Sequence, residues 1–308
     1  MPRPFSDDDL DAAAALLAER HASHRTAEPL LPADVDFRAE VEALWRRPGA
    51  SGAISEGGFL LGAPREDRIW GPNVWVELAG HAVEQAEAAR DLYELAAQRW
   101  VDEGNTRHYV VVPATDAQLV DAWFRLGFGQ QHAFGIREVP EQTGFPEGTR
   151  EAEPADVDAL VALGPLVADH QALAPVFGPG RRKEEDDDDS LRGEILEGLL
   201  SDDVADVVAV RDGRIVGYFY VAPAEHSGMH AGLARPPGAA YLAWAATAPQ
   251  VRSSGVGVAL TGAAFAWARS RRHDVMVTDW RVTNLLSSRF WPARGFRTTF
   301  LRLYRSIP

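Results

Sequence analysis

The feature that most constrains the fold of this chain is an internal repeat, because it implies two copies of one domain within 308 residues. Thr115-Asp116 aligns with Thr283-Asn284. At the same separation, Trp123-x-x-x-Gly127-Phe128 aligns with Trp291-x-x-x-Gly295-Phe296. A shared order of elements at a fixed separation indicates duplication, and a chain of this length can bury two cores. Runs with strand character flank both copies, at residues 108–112, 133–136, 275–278 and 299–304.

A linker rich in proline and glycine separates the two copies. It covers residues 140–148, and such segments connect compact domains. The sequence therefore predicts a first domain at residues 1–145 and a second at residues 146–308. Both domains open with acidic residues before a helical pattern, at residues 11–21 and 157–170. Carboxylates at these positions complement the helix dipole.

The second half contains a strand, a glycine turn and a helix in that order. Residues 241–247 are an apolar run, Arg252-Ser-Ser-Gly-Val-Gly257 is the turn, and residues 258–269 follow at helical spacing. Glycine lets the backbone approach an anion closely, and the first N–H groups of a helix point towards it. This order predicts a phosphate-binding turn. The alternative is a glycine-rich turn that only closes the strand.

Three further segments of the second half have distinct patterns. Residues 207–210 and 214–221 predict a β-hairpin with Asp212-Gly213 at its turn. Residues 223–237 read as a polar loop rich in glycine and proline. Residues 181–189 form a charged block that ends in four aspartates. We interpret this block as a solvated segment or as an acidic wall that attracts a cationic substrate.

Composition excludes several classes of function. The net charge of −14 leaves no basic footprint for nucleic acid. The same acidic balance favours a cationic partner such as an amine, or serves solubility alone. Because the chain has no cysteine, disulfides, thiolate metal sites and a cysteine nucleophile are excluded, and no metal site is predicted. Basic charge is almost all arginine, with Lys183 the one lysine, and alanine is abundant, which fits a bacterial genome rich in G and C.

No segment has the pattern of a membrane span or a signal peptide. A membrane-spanning helix needs roughly 18 consecutive apolar residues, and no stretch approaches this length. The first residues, Met-Pro-Arg-Pro-Phe-Ser-Asp-Asp-Asp, lack the apolar region of a secretion signal. We therefore expect a cytoplasmic protein without a membrane partner.

Residues 247–260 and 279–296 carry two motifs that resemble those of GNAT-type N-acetyltransferases. In the first, Pro249 precedes Arg252-x-x-Gly-x-Gly257 and a helix, as in the acetyl-CoA-binding motif of the family. In the second, Asn284 precedes Trp291-x-x-x-Gly-Phe296, where the family has an Asn and then a Tyr before x-x-x-Gly-Phe. The resemblance implies an α/β chain of two tandem GNAT folds, each with a mixed, mostly antiparallel central sheet flanked by helices.

The resemblance also implies a site for acetyl-CoA as co-substrate. Backbone N–H groups at Ala245, Ala246 and Thr247 would hold the pantetheine and polarise the thioester carbonyl. Asn284 matches a cofactor-contacting asparagine of the family, although an asparagine there also caps a helix. The turn and the helix start would hold the diphosphate. Their residues are Arg252, Ser253, Ser254, Gly255, Val256, Gly257 and Val258.

The resemblance names a base more readily than an acid. Asp279 and Arg281 match a Glu-x-Arg before the Asn in ribosomal-protein N-terminal acetyltransferases, so Asp279 is the candidate base; a salt bridge to Arg281 or a capping contact is the alternative. Trp291 replaces the tyrosine that often protonates the leaving thiolate, and an indole cannot take that role. The acid is then Tyr304, Tyr241 or water, or none is needed. His226 and His230 lie in the polar loop and are candidates for the substrate side.

The first half lacks the glycines of the turn. At the same separation as the repeat, Glu84, Glu87 and Ala89 take the positions of Arg252, Gly255 and Gly257. Two carboxylates would repel a diphosphate there. A strand at residues 73–78 and a helix at residues 83–101 are still expected. The first copy is therefore interpreted as a degenerate GNAT fold kept for packing or for shaping the substrate side.

The sequence favours one function and leaves two alternatives open. The favoured function is an acetyl-CoA-dependent N-acetyltransferase that acts directly on a primary amine, either a small molecule or a peptide N-terminus. A tandem acetyltransferase similar to mycothiol synthase is the first alternative, and a non-catalytic acyl-CoA-binding module is the second. The expected partners are acetyl-CoA and a cationic amine. Two fused copies predict a monomer that is a pseudo-dimer, or a homodimer.

Overall fold

The computed structural model describes residues 1–66, 70–141, 144–173 and 188–308. Both halves contain strands and α-helices, and several strands follow one another without an α-helix between them. The strands are β1 (Arg3–Pro4), β2 (Ser51–Ser55), β3 (Gly58–Gly62), β4 (Asn73–Val76), β5 (His81–Val83), β6 (Arg107–Pro113), β7 (Gly129–Glu138), β8 (Thr149–Glu151), β9 (Ala205–Arg211), β10 (Arg214–Pro223), β11 (Ala240–Thr247), β12 (Val275–Arg281) and β13 (Arg297–Ser306). The α-helices are α1 (Leu10–Ala27), α2 (Phe37–Trp45), α3 (Ala88–Asp102), α4 (Ala117–Arg125), α5 (Val157–Leu163), α6 (Leu166–Leu173), α7 (Asp188–Leu199), α8 (Val256–Ser270) and α9 (Leu285–Ala293).

The chain forms two compact units that do not follow one contiguous division. Unit 1 comprises residues 1–133, 232–234 and 298–308, and unit 2 comprises residues 134–231 and 235–297. The end of β7 therefore belongs to unit 2, and nearly all of β13 belongs to unit 1. Unit 1 thus contains nearly all of the last strand of the second copy, and unit 2 contains the end of the last strand of the first copy.

Unit 2 is built on a mixed sheet in which antiparallel neighbours predominate. Strands β8, β9, β10 and β11 pair antiparallel in this order, and β11 pairs parallel with β12. Helix α8 packs on β9 and β10, and its Leu260 and Trp267 are fully buried. A second apolar cluster lies on α5 and includes Leu160, Val208 and Tyr218. The hairpin predicted at residues 207–221 is present, since β9 pairs antiparallel with β10. Asp212 and Gly213 form its turn, and both adopt positive φ.

Unit 1 has the same kinds of element but a divided sheet. Strands β1, β2, β3 and β5 form a four-stranded antiparallel sheet. Strand β6 pairs parallel with β4 and antiparallel with β13. The core includes the fully buried indoles of Trp75, Trp100 and Trp123. None of the helices in the described ranges is long and apolar enough to cross a membrane.

Three of the predicted helices differ from the structure, and the one predicted at residues 11–21 is longer, since α1 continues to Ala27. The pattern at residues 157–170 forms two helices, because α5 ends at Leu163 and α6 begins at Leu166. A proline at 165 removes a backbone donor and stops the first helix. The helix predicted from residue 83 begins at Ala88 instead, because β5 pairs with β3 up to Val83. Residues 181–187 of the charged block predicted at 181–189 lie outside the described part of the chain.

Candidate functional site

The start of α8 presents backbone donors that the fold does not use. Gly255 is the N-cap residue, with φ of +89°, a conformation that favours glycine. Intrahelical bonding begins with the N–H of Ala259, which donates to the Gly255 carbonyl at 3.0 Å. For the N–H groups of residues 256–258, the described part of the chain offers no acceptor. Three aligned donors at a helix N-terminus can bind an anion.

Gly255 and Gly257 are needed for different reasons. A Cβ atom at Gly255 would meet nothing within 4 Å, so its positive φ is the constraint. Gly257 has ordinary helical backbone, but a Cβ there would lie 3.2 Å from the ring of Phe290 on α9. Its small size therefore keeps α8 close to α9.

The side chains of the turn are placed around these donors. Arg252 is half-buried at the first position of the turn, and within the described ranges its guanidinium makes no ion pair. Ser253 and Ser254 are exposed, and Ser253 has a φ of +63°. The Ser254 hydroxyl donates to the Val251 carbonyl at 2.7 Å and so helps to close the turn. Val258 is 49% exposed at the third position of the helix.

Strand β11 leaves β12 shortly before the turn. The two strands pair only up to Leu242 and Thr278, and the Thr278 hydroxyl donates to the Leu242 carbonyl at 2.9 Å. A β-bulge follows in β11, because Tyr220 of β10 pairs with Trp244 while the next residue of β10 pairs with Leu242. A bulge bends a strand and increases its twist. The second half of β11 therefore pairs with β10 and has a free edge on the β12 side.

That free edge carries two backbone donors. The N–H of Ala248 donates to the Val216 carbonyl, on the β10 side. Because N–H groups alternate in direction along a strand, those of Thr247 and Ala245 point to the other side, away from β10. The N–H of Ala246 points towards β10, and this residue is buried. Of the three strand residues predicted to hold the pantetheine, the structure directs Ala245 and Thr247 to the open edge.

Asp279 lies where β11 and β12 separate. Its Oδ1 accepts a 2.8 Å hydrogen bond from the Tyr241 hydroxyl, and the His230 Nε2 lies 3.8 Å from the same oxygen. The Asp279 side chain is 14% exposed and that of His230 is 1% exposed. Burial, together with the Asp279 charge, raises the pKa of Tyr241 well above its ordinary value. The hydroxyl therefore stays protonated and donates to the carboxylate.

His226 and His230 have different environments despite their shared loop. His226 is exposed, whereas His230 is buried with its ring 5.2 Å from Phe134 and 5.5 Å from Tyr241. The sequence spacing of the two histidines gave no signal for this difference. It arises because the Ser227 hydroxyl accepts the backbone N–H of His230 and fixes the turn.

Asn284 caps α9, as one of its two predicted roles required. Its Oδ1 accepts the N–H of Leu286 at 3.1 Å and lies 3.2 Å from Nε2 of His170 on α6. The oxygen is thus used within the fold, and the amide nitrogen is the end that could contact a ligand.

Trp291, at the position of the family's tyrosine, and the acid candidate Tyr304 both pack against aromatic rings. Trp291 is buried, with ring centroids 4.9 Å from Phe290, 5.6 Å from Phe296 and 5.8 Å from Phe219. It packs in the core of unit 2. Tyr304 belongs to unit 1, where β13 pairs with β6 and the Tyr304 ring lies 5.0 Å from Tyr109.

In unit 1, the helix that corresponds to α8 is α3, and its first N–H groups have acceptors. At the start of α3, the N–H groups of residues 88, 89 and 90 each donate to the carbonyl three residues earlier, at 3.0, 3.2 and 3.0 Å. Glu87 is the N-cap residue and pairs with Arg90 and Arg125. After β4, Arg20 of α1 donates to the carbonyls of Leu78 and His81. The first N–H groups of α3 therefore have acceptors within their own turn, unlike those of α8, and Arg20 occupies carbonyls that follow β4.

Residues 170–296 match the family model described as Acetyltransferase (GNAT) family. Among solved structures, the chain is similar to a GCN5-related N-acetyltransferase from Sphaerobacter thermophilus, at a TM-score of 0.57 and 13% identity, over 99% of this chain and 95% of that one. It is also similar to a tandem GNAT protein from the clavulanic acid biosynthesis pathway, at a TM-score of 0.50 and 14% identity, over 99% of this chain and 98% of that one. The predicted α/β fold of tandem GNAT type is confirmed by these two structures. No curated protein matches the chain significantly.

Proposed function

Because residues 170–296 of this chain form a domain of the GNAT acetyltransferase family, we propose that unit 2 transfers an acetyl group from acetyl-CoA to a primary amine. The observation that carries this proposal is a pair of neighbouring features. The N–H groups of residues 256–258 have no acceptor in the described part of the chain, and the turn joins them to the open edge of β11. The first N–H groups of every helix lack an intrahelical acceptor, but here they follow a glycine turn and an open strand edge, an arrangement that suits an anionic ligand.

The backbone donors of α8 and β11 fit the diphosphate and the pantetheine arm of acetyl-CoA. The N–H groups of residues 256–258 would hold the diphosphate, with Arg252 beside them. The N–H groups of Ala245 and Thr247 would bind the pantetheine arm and stabilise the carbonyl oxygen as it gains charge. The Asn284 amide nitrogen is available at the start of α9. Bound acetyl-CoA supplies the thioester carbonyl carbon, to which the amine nitrogen bonds as the carbon–sulfur bond breaks.

Asp279 is the group that would take the proton. An amine reacts only as the neutral base, so a proton must leave its nitrogen. The hydrogen bond from Tyr241 favours the ionised form of Asp279 and fixes its orientation. Asp279 would accept the amine proton directly or through a water molecule. General base catalysis of this kind contributes roughly 10²- to 10⁴-fold to the rate.

The departing thiolate needs no strong acid in this arrangement. A thiol has an ordinary pKa of about 8.5, so the thiolate is a good leaving group. The raised pKa of Tyr241 makes it a poor proton donor, and Trp291 is buried in the core. Tyr304 remains a candidate on sequence grounds, and water is the simpler source of the proton.

Two measurements test the proposal. Acetyl-CoA should raise the melting temperature of the protein, since a ligand that binds only the folded state stabilises it. Release of free thiol in the presence of an amine panel should then identify turnover. A melting shift without thiol release from any amine would favour the non-catalytic acyl-CoA-binding module, which the buried Trp291 permits. Absence of both would reject the proposal.

A further inference from the structure

A row of three side chains crosses unit 2 on the face of the sheet opposite α8. Asp206 of β9 lies directly opposite Tyr220 of β10, and Tyr220 lies directly opposite Trp244 of β11. Directly opposite residues share one face, with Cβ atoms about 4.5–5.5 Å apart. The other face belongs to α8, because a Cβ at Gly217 would lie 3.2 Å from Leu260 of that helix. Residues 217 and 220 point to opposite faces because side chains alternate along a strand.

Asp206 is a buried carboxylate without a partner in the described part of the chain. The residue is 6% exposed, and no hydrogen bond or ion pair involves its side chain. Burial raises the pKa of Asp206 to about 7. Its charge also contributes to the raised pKa values of Tyr218 and Tyr220, so these hydroxyls lie near it. A buried carboxylate without a partner avoids the cost of an isolated charge either by protonation or by pairing with a cationic ligand, and the ionised form suits such a ligand.

The aromatic members of the row fit the same ligand. Trp244 is 36% exposed, and Tyr220 is half-buried beside it. The faces of such rings attract alkylammonium groups. Trp244 also follows the bulge of β11 and directly precedes Ala245, whose N–H lies on the proposed acetyl-transfer edge. The row therefore runs from that edge to the buried carboxylate.

We propose that the row Asp206–Tyr220–Trp244 binds a second cationic nitrogen of the acceptor, and that the acceptor is a linear diamine or polyamine. The inference rests on the proposed function of unit 2. Strand β9 lies two strands from β11, which places Asp206 about 10 Å from the edge at which the reacting amine would sit. A monoamine cannot occupy both positions, whereas an extended diamine can. Trp244 and Tyr220 line the path of the connecting chain.

The test compares alkyl diamines of increasing length with alkyl monoamines of matching length. Binding is measured by calorimetry in the presence of CoA, which forms no product. We expect at least tenfold tighter binding of the long diamines, and Asp206→Asn should remove this preference. Asp202→Asn is the matched control, because Asp202 is an exposed aspartate that precedes β9. Trp244→Leu should also weaken the binding of the diamines, although Asp206 is unchanged in this variant.

Each outcome decides the inference independently of turnover. If Asp206→Asn leaves the ratio of diamine to monoamine affinity as in the parent protein, the row is not the subsite. Equal affinity for diamines and monoamines in the parent protein would also overturn it. The melting shift with acetyl-CoA should be the same in Asp206→Asn and the parent protein, which confirms folding. If that shift is absent in the parent protein, the proposed function fails, whatever the diamines do.

Discussion

The Tyr241 hydroxyl donates a 2.8 Å hydrogen bond to the Asp279 carboxylate, at the end of the segment over which β11 pairs with β12. The bond joins the two strands directly before they separate. It therefore fixes the candidate base relative to the open edge of β11. A tyrosine in this position contributes through its effect on the carboxylate, since its own pKa is raised by burial.

Removal of this hydrogen bond should change the pH dependence of turnover. In Tyr241→Phe the ionised form of Asp279 loses a donor, so the pKa of the carboxyl rises. The acidic limb of the pH profile of kcat/KM should move to higher pH, while the rate on the plateau changes little. Asp279→Asn should lower kcat by roughly 10²- to 10⁴-fold on the plateau of the parent pH profile, and the difference should shrink along the acidic limb.

A structural role alone would give a different result for these variants. Both should keep the melting shift with acetyl-CoA, because neither residue belongs to the turn at residues 252–258. An unchanged pH profile in Tyr241→Phe, together with normal turnover in Asp279→Asn, would remove Asp279 as the base.

The anion site at the start of α8 can be tested with a substitution that suits the helix. Val258 is exposed at the third helical position, where a glutamate is favourable to helix stability. Val258→Glu should therefore fold normally but repel a diphosphate, and we expect its melting shift with acetyl-CoA to be lost. Val258→Gln is the neutral control of the same size, and it should keep most of the shift. Equal shifts in both variants would place the diphosphate elsewhere.

The sequence predicted the backbone of the site better than its side chains. The turn at 252–257, the strand before it and the helix after it follow from glycine chemistry and apolar periodicity, which are local properties. The cap formed by Asn284 follows from the same local rules. Pairing between Tyr241 and Asp279 depends on the register of two strands that are distant in sequence, and no local pattern specifies it.

Two single-residue bulges explain why the sequence did not predict the row Asp206–Tyr220–Trp244. A two-residue turn at Asp212-Gly213 pairs Arg211 with Arg214, and regular pairing from there would place Asp206 opposite Phe219, which shares a face with α8. The register shifts between Ile215 and Gly217, so Asp206 lies opposite Tyr220 instead. A shift of one residue moves a side chain to the other face. The bulge in β11 has the same effect, and neither bulge has a clear sequence signal.

One molecule of acetyl-CoA should bind each chain. In unit 1 the first N–H groups of α3 already donate to carbonyls of their own turn, and Glu84 and Glu87 add negative charge there. Calorimetric titration should give a stoichiometry of one, and Val258→Glu should abolish all heat of binding. A residual site in that variant would show that unit 1 still binds the ligand.

The buried carboxylate of Asp206 should make stability depend on pH. Its folded pKa of about 7 lies above the ordinary value of 3.8, so the folded state binds more protons between these values. The free energy of unfolding should therefore fall as pH rises from about 4 to about 7. Asp206→Asn should remove this slope and raise stability at pH 8 by on the order of 1–3 kcal/mol. Urea unfolding at pH 5 and pH 8 measures the effect, with Asp202→Asn expected to match the parent protein.

Trp291 should contribute to stability rather than to turnover. Its ring lies among Phe219, Phe290 and Phe296 in the core of unit 2, at the position where the family often has a tyrosine acid. Trp291→Phe removes buried volume and should lower the free energy of unfolding by about 1–3 kcal/mol. Because no proton passes through an indole, kcat should stay within about twofold of the parent value below the melting transition. A loss of kcat comparable with that of Asp279→Asn would instead place Trp291 against the reacting groups.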